Sequence, residues 1–228
     1  MKGNKITISV LLTVTLLMIL LMSCGGSQPI PEWKYASFNQ MEDFKKAYLE
    51  GKAGIADFNF QRAVEEIKKS GDLNLLAKAY LNRYAVQVAL LESFRDDDFL
   101  KIQTAEPDPV NAGFCAFLKG NFSQTDRNLL PPQYAQTVAD ILAARKDSLA
   151  ADVQKIEDPL SRLVMTGLLV QYGYENEELL NGAVETASRQ GWKKALLVYL
   201  NRLQAFYEQR QEGEKADKIK QKILLIQS

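Results

Sequence analysis

Residues 63–83 read AVEEIKKSGDLNLLAKAYLNR, and residues 183–202 read AVETASRQGWKKALLVYLNR. Both stretches open with Ala-Val-Glu, place a glycine eight residues later and close with Tyr-Leu-Asn-Arg. The offset between them is 120 residues at the start and 119 at the end, because the second copy lacks one residue in its turn. The apolar spacing on either side of the glycine predicts a helix, a tight turn and a second helix in each copy. The prediction of the fold depends on this repeated helical pair.

The same helical spacing of apolar residues continues over almost all of the chain after residue 37. One such face combines Ala56, Phe60, Ala63, Val64 and Ile67. An earlier face combines Phe38, Met41, Phe44 and Tyr48. Residues that recur at intervals of three and four predict helices with one buried side. Because no alternating apolar and polar run predicts a β-strand, the predicted fold is all-α, with about nine or ten helices.

Polar and proline signatures mark where these helices start. The expected start positions are Asp72, Asp108-Pro109, Pro131-Pro132, Asp158-Pro159 and Asn176. Side-chain oxygens of Asp and Asn accept hydrogen bonds from N–H groups of the first turn, and proline fits that turn because it lacks an N–H. Gly71 and Gly191 are expected to end the helices before them. The segment from Asp96 to Pro107 has the weakest helical pattern and is expected to be a loop.

In these helix–turn–helix units the chain resembles the tetratricopeptide repeat family. The small–aromatic–small pattern of the family's second helix is matched by Ala56, Phe60 and Ala63. The leucine–small–tyrosine pattern of its first helix is matched, in the next unit, by Leu76, Ala77 and Tyr80. The resemblance implies stacked antiparallel helix pairs, an α-solenoid. The family's closing proline is absent, and no period of about 34 residues runs through residues 95–175.

Under this resemblance, Asn82, Arg83, Asn201 and Arg202 are candidate partner-binding residues. Each Asn-Arg pair follows a tyrosine that should face the neighbouring helix, so the asparagine points to another side. In tetratricopeptide proteins that side can line a concave peptide-binding groove. The alternative for both pairs is a solvated helix face or a salt bridge to a neighbouring helix.

The N-terminus has the layout of a secretory signal. Lys2 and Lys5 precede an apolar run over residues 6–22, and no acidic residue occurs before Glu32. A basic start followed by an apolar stretch is typical of such signals. The 17-residue run is also at the lower limit for spanning a bilayer, which takes about 20 apolar residues. The length of the apolar run therefore leaves two alternatives to a cleaved lipoprotein signal, which are a plain transmembrane anchor and a fully secreted protein.

The end of the run, Leu21-Met22-Ser23-Cys24, resembles the lipobox of bacterial lipoproteins. This resemblance implies a signal peptide over residues 1–23, cleavage before Cys24, and acylation of Cys24 that anchors the chain in a lipid bilayer. Gly25 stands where an Asp is associated with retention at the inner membrane, so the resemblance implies an outer-membrane anchor facing the periplasm. Because Lys2 and Lys5 leave with the signal, the balance of 28 basic and 28 acidic residues becomes a net charge of −2.

Residues 24–36 are expected to form the lipidated cysteine and a flexible tether, and residues 37–228 the helical domain. Glycine, serine and two prolines make residues 25–31 unsuitable for a helix. Seven residues span at most about 25 Å, which keeps the domain near the membrane. Trp33 and Tyr35 follow directly, and they either rest at the lipid interface, where amphipathic rings are favoured, or pack on the first helix pair.

Composition excludes several classes of protein. A net charge of zero without a basic block argues against a nucleic-acid partner. The chain has no histidine, which excludes Ser-His-Asp and Cys-His catalysis and His-ligated zinc. No phosphate-binding glycine motif or nucleophile elbow is present. We therefore expect no catalytic residues, no metal and no cofactor.

Two chemical candidates have simpler structural explanations. Cys115 lies among apolar neighbours, which raise the pKa of a thiol, and it is expected to be a buried small hydrophobe. Asp96, Asp97 and Asp98 carry the oxygen ligands that hard cations prefer. Their spacing matches no calcium loop, so a solvated loop is expected. Cys115 is the only cysteine besides Cys24, so no internal disulfide is expected once Cys24 is acylated.

These observations favour a non-catalytic scaffold or adaptor in an envelope complex, with a protein partner. Stacked helix pairs expose long surfaces that suit peptide segments or partner helices. The alternative is a periplasmic carrier that holds a lipid or another hydrophobic ligand between its helices. The 19 Phe and Tyr residues would line such a cavity or fill a core equally well.

Overall fold

The structure, a computed structural model, describes residues 30–227, and most of these residues lie in helices. They are α1 (Glu32–Glu50), α2 (Ala53–Lys68), α3 (Leu73–Ala89), α4 (Asp97–Ala105), α5 (Pro109–Leu118), α6 (Pro132–Leu142), α7 (Leu149–Gln154), α8 (Pro159–Gln171), α9 (Glu177–Gln190), α10 (Lys193–Gln209) and α11 (Gly213–Gln227). No β-strand occurs within this range, and the predicted all-α fold is confirmed.

The lipobox and Cys24 lie outside the described residues, so their assignment stays a prediction. Helix α1 begins at Glu32, inside the stretch 24–36 expected to be the tether. Among residues 30–227, no helix is both long and apolar enough to cross a bilayer.

The predicted helix starts are confirmed by their hydrogen bonds. Asp72, Asp108, Asp158 and Asn176 each accept a hydrogen bond from the N–H three residues later, at distances of 2.7–2.8 Å. These bonds satisfy N–H groups that the first turn of a helix leaves without a partner. A side-chain cap of this kind is a local interaction, which is why the sequence alone was sufficient to place it.

The two copies of the repeat have the same local structure. Each consists of two helices, α2 and α3 in the first copy and α9 and α10 in the second. Gly71 and Gly191 stand between the helices, and both have a φ of +68°. A side chain is strained at that φ, so glycine is the residue that makes this tight turn.

Two expectations about the first half of the chain are wrong. The segment expected to be a loop contains helix α4, because Asp97 and Asp98 lie in its first turn, where the helix dipole favours negative charge. Phe99 and Ile102 of α4 are buried. Phe38, expected on the inner face of α1, is exposed, whereas Met41 and Phe44 on the same predicted face are buried.

Helix α3 lies at the centre of the domain and packs against α2, α4, α5 and α8. In a solenoid each repeat contacts only its neighbours along the chain. The packing of α3 on α8, which begins at Pro159, brings together segments that are far apart in sequence. The finer prediction of a tetratricopeptide-like solenoid is therefore not confirmed.

The C-terminal end of α3 is held by Tyr199 of α10. The Tyr199 side chain is 0% exposed, and its hydroxyl lies 2.9 Å from the carbonyl oxygen of Ala89 and 3.2 Å from that of Leu163 in α8. Burial raises the pKa of Tyr199 far above its ordinary value, so the hydroxyl remains a donor at any physiological pH. One side chain thus joins α3, α8 and α10.

Close approach of α3 and α8 depends on Gly167. A Cβ atom at this position would lie 2.1 Å from the carbonyl oxygen of Val88. Any side chain at this point would push the two helices apart, because the opposing atom belongs to backbone that cannot rotate away.

We expect Tyr199→Phe to lower the free energy of unfolding by about 1–3 kcal/mol, because the buried carbonyl group of Ala89 at the end of α3 loses its hydrogen-bond donor. Urea titration followed by circular dichroism measures the change. The matched control is Tyr80→Phe at the equivalent position of the first copy, where the side chain is half-buried and the expected change is within about 0.5 kcal/mol. Equal losses in both variants would contradict the assigned role of Tyr199.

Two glycine-to-alanine changes in helices should have opposite signs. Gly167→Ala is expected to destabilise the domain by about 1–3 kcal/mol through overpacking against Val88. Gly113→Ala in α5 is expected to stabilise it by about 0.5–1 kcal/mol, because a Cβ there meets no atom within 4 Å and alanine is the better helix former. The same urea titration compares them, and a tolerated Gly167→Ala would show that the α3–α8 contact is looser than described.

Candidate functional site

A cleft of about 740 Å³ lies between α1, α3 and α8 and is bordered by the turn between α9 and α10. We call it the α1–α8 cleft. Its apolar wall includes Leu49, Ala85, Phe114, Tyr134, Leu160 and Val164. Charged residues of both signs stand at its edge, namely Glu42, Asp43, Lys45, Lys46 and Asp158. The combination of apolar floor and polar rim is typical of a surface that binds another molecule.

Of the four predicted partner-binding residues, Asn82 is the one that lines this cleft. Asn82 also borders two smaller clefts. The first, the Phe38 cleft, has a volume of about 270 Å³ and is walled by Phe38, Met41 and Ile67 among others. The second, the Asn111 cleft, has a volume of about 340 Å³ and lies between α3 and α5. Asn82 therefore stands where three concave surfaces meet.

The two asparagines of the repeat have the same local bonding and different surroundings. Nδ2 of Asn82 donates to the carbonyl oxygen of Lys78 at 2.8 Å, and Nδ2 of Asn201 donates to that of Leu197 at 2.6 Å. Asn201 is exposed and lines none of the three clefts described above. The structure does not bring the two candidates together.

Both arginines of the repeat already face a carboxylate within the domain. The Arg202 guanidinium forms two hydrogen bonds of 2.6 Å with the Glu175 carboxylate. Arg83 lies 3.5 Å from the Asp57 carboxylate and 4.7 Å above the ring of Phe60. Arg83 and Arg202 therefore both form a salt bridge within the domain, which was the alternative to partner binding. This makes them weaker candidates for partner binding than Asn82.

Asn111 is a residue that sequence reasoning missed. It is 3% exposed and lies in the wall of the Asn111 cleft among Leu81, Val110 and Leu130. Its Nδ2 has no hydrogen-bond partner within the described residues. A buried amide without a partner costs about 1–3 kcal/mol. Nothing in the sequence distinguishes this asparagine from others in the first turn of a helix, because the apolar walls come from distant segments.

The aspartates of the predicted acidic cluster each contact a cation of the domain. Asp96 lies 2.5 Å from Lys119, Asp97 lies 2.9 Å from Arg95, and Asp98 lies 3.2 Å from Lys101. Among the described residues no group of three or more acidic or cysteine side chains is arranged to hold a metal ion. These carboxylates therefore act in ion pairs and at a helix start.

Cys115 and Asp140 are buried titratable groups that lie away from the α1–α8 cleft. Cys115 is buried, and burial raises the pKa of its thiol to about 11, which keeps it uncharged and unreactive at neutral pH. The neighbouring Asp152 carboxyl, together with hydrogen bonds donated by Ser148 and Arg145, lowers the pKa of the Asp140 carboxyl well below its usual range. Asp140 thereby connects the end of α6 to the turn before α7, which is a structural role.

Searches with this chain find no matching family model, no similar curated protein and no similar solved structure. The case for a function therefore comes from the chain's own residues and their geometry.

We expect Asn111→Leu to raise the free energy of unfolding by about 1 kcal/mol, because leucine has nearly the same shape and removes a buried donor without a partner. Thermal and urea unfolding measure the change. Asn201→Leu is the control, since that side chain is exposed and its replacement should change stability by less than about 0.5 kcal/mol. A loss of stability in Asn111→Leu would show that this amide is hydrogen-bonded in solution.

Proposed function

We propose that this protein is a lipoprotein of the bacterial envelope that acts as a non-catalytic scaffold and receives a segment of a partner protein in the α1–α8 cleft. The observation that carries the proposal is the cleft itself, with Asn82 in its wall. In this proposal acylated Cys24 holds the chain in the bilayer, and the domain faces the periplasm from the outer membrane.

The walls of the cleft suit an apolar anchor on the partner. Phe114 is half-buried and presents aromatic surface, with the buried ring of Tyr134 beside it at 6.3 Å, and aromatic rings dominate binding energy at protein interfaces. The Phe117 and Tyr134 rings are 4.7 Å apart, which holds the tyrosine in place. A wall that is already rigid loses little side-chain entropy when a partner binds. A short amphipathic helix or an extended segment with one or two large apolar residues fits such a groove.

The rim supplies charges that select the partner's orientation. Lys45 is paired with Glu42 at 2.5 Å, whereas Asp43 and Lys46 are exposed next to them. A partner segment with charges of both signs beside its apolar anchor would therefore be favoured over a uniformly charged one.

The surroundings of Asp158, one of the acidic groups of the cleft, support a non-catalytic role. Asp158 accepts a hydrogen bond from the N–H of Ser161 at 2.7 Å and caps α8. A general acid or base must reach a reacting group. The Asp158 carboxylate is instead bonded to the backbone of its own helix.

A carrier of a hydrophobic ligand is the second candidate, and the Asn111 cleft favours it. Its volume of about 340 Å³ falls in the range of small-molecule sites, which are mostly apolar with a few placed polar groups. Nδ2 of Asn111 would donate to a carbonyl oxygen of such a ligand. Native mass spectrometry of the purified protein distinguishes this role, since a carrier would retain a bound lipid.

The scaffold is tested by a photo-crosslinking amino acid placed at position 82 and, as the matched control, at position 201. Both positions have the same helical environment and the same hydrogen bond to the preceding turn, but only position 82 borders the α1–α8 cleft. In intact cells we expect a defined crosslinked protein from position 82 that position 201 does not give.

A substitution in the apolar wall makes this experiment specific for the α1–α8 cleft. Leu160→Asp would place a charge on the apolar wall and should reduce the crosslink from position 82 at least tenfold, while leaving the amount of folded protein unchanged because Leu160 is only partly buried. Identical products from positions 82 and 201, or no product from either, would count against a partner in the cleft.

A further inference from the structure

We propose that the first turns of α1 rest on the bilayer, so that the domain docks on the membrane surface through Tyr35 and Phe38. We call these two residues the docking surface. The inference rests on the proposed acylation of Cys24 and goes beyond it. The anchor alone holds the chain at the membrane, whereas the docking surface fixes which side of the domain faces the lipid.

The exposure of these side chains is the first observation. Tyr35 and Phe38 are 65% and 62% exposed. A single exposed apolar residue is ordinary in a soluble protein, but large ones that occur together mark an interaction site. These two rings lie within one turn of α1. The alternative that Tyr35 packs on the first helix pair is wrong, because most of its ring is in contact with solvent.

The residue types match a lipid interface. Tyr35 and Phe38 are three residues apart in α1, so their side chains are neighbours on one side of the helix. Aromatic rings with a polar edge are enriched where headgroups meet acyl chains, and apolar side chains of interfacial helices enter this boundary by about 5–10 Å. Trp33, which is half-buried, begins the same turn.

The position along the chain is the second, independent observation. Eight peptide units separate Cys24 from Glu32, where α1 begins, and an extended chain of that length reaches about 27 Å. A lipid on Cys24 would therefore keep the start of α1 within about 27 Å of the headgroups, with the docking surface in the next turns of the helix. Binding to the bilayer then becomes an intramolecular event, for which even weak contacts are sufficient.

Charge does not drive this contact. Between residues 32 and 46 of α1, the acidic residues Glu32, Glu42 and Asp43 are balanced by Lys34, Lys45 and Lys46. Attraction to anionic lipids needs an excess of basic residues. Docking should therefore occur on zwitterionic lipid and change little with salt, as expected for apolar contact.

Trp33 is a natural reporter for the test. The chain has two tryptophans, and Trp192→Phe leaves Trp33 as the only one. The full chain is expressed in a bacterial host, purified from membranes and reconstituted in phosphatidylcholine vesicles whose acyl chains carry bromine near the headgroup. Mass spectrometry of the same sample shows whether Cys24 is acylated. We expect bromine to quench at least half of the Trp33 emission.

Matched variants distinguish docking from mere proximity. Tyr35→Ser with Phe38→Ser should reduce the quenching at least twofold. Ile55→Ser with Phe58→Ser is the control, because these residues are similarly exposed, at 55% and 63%, but start α2 at the opposite end of α1. In this control, bromine should quench the Trp33 emission as strongly as in the parent protein. Circular dichroism should show the same helix content in all variants, since the replaced side chains are exposed.

The outcomes separate the two proposals. Acylated Cys24 without quenching of Trp33, or quenching that Tyr35→Ser with Phe38→Ser leaves unchanged, would overturn the docking surface and leave the anchor intact. A Cys24 without acyl chains would overturn the anchor and, with it, the function proposed above. If quenching decreases in the variant Tyr35→Ser with Phe38→Ser and not in the control, the result would establish which side of the domain faces the membrane.

Discussion

The buried carbonyl group at the end of α3 is the constraint on which the rest of the domain depends. A helix leaves its last carbonyl groups without N–H partners, and Ala89 ends α3 in the interior, where water is excluded. Tyr199 supplies the missing donor, and the same hydroxyl reaches Leu163 of α8. Because α3 and α8 also contribute Ala85 and Val164 to the α1–α8 cleft, the contact that satisfies this carbonyl group also sets the spacing of the cleft's walls.

The repeat shows how the same sequence acquires two roles from its surroundings. Tyr199 is buried and hydrogen-bonded, whereas Tyr80 at the equivalent position is half-buried and packs edge-on against the ring of Phe60 at 5.5 Å. Asn82 borders three clefts, and Asn201 faces solvent. The first copy therefore contributes Asn82 to the proposed partner surface, and the second copy contributes the bond that holds the first in place.

Much of the fold was predictable because it is determined locally. The caps at Asp72 and Asn176 depend on atoms within one turn, and the buried face of α2 follows from spacing alone. Helix α4 was missed because three consecutive aspartates are typical of loops, although they also suit the start of a helix. The exposure of Phe38 and the unpaired amide of Asn111 could not be predicted, since both depend on which distant segments pack nearby. For the candidate site, the sequence indicated Asn82 through a family resemblance but not the cleft that distinguishes it from Asn201.

The hydrogen bond between Tyr199 and Ala89 also has a consequence for the order of folding. It joins residues 110 positions apart, so the carbonyl group of Ala89 at the end of α3 has no hydrogen-bond donor until α10 has been made. A chain synthesised from its N-terminus would hold α1, α2 and α3 in an incomplete state, with apolar surface uncovered, until nearly the whole sequence is available. Under the proposed export of this chain across a membrane, the delay is an advantage, because premature closure of the first half would obstruct its passage.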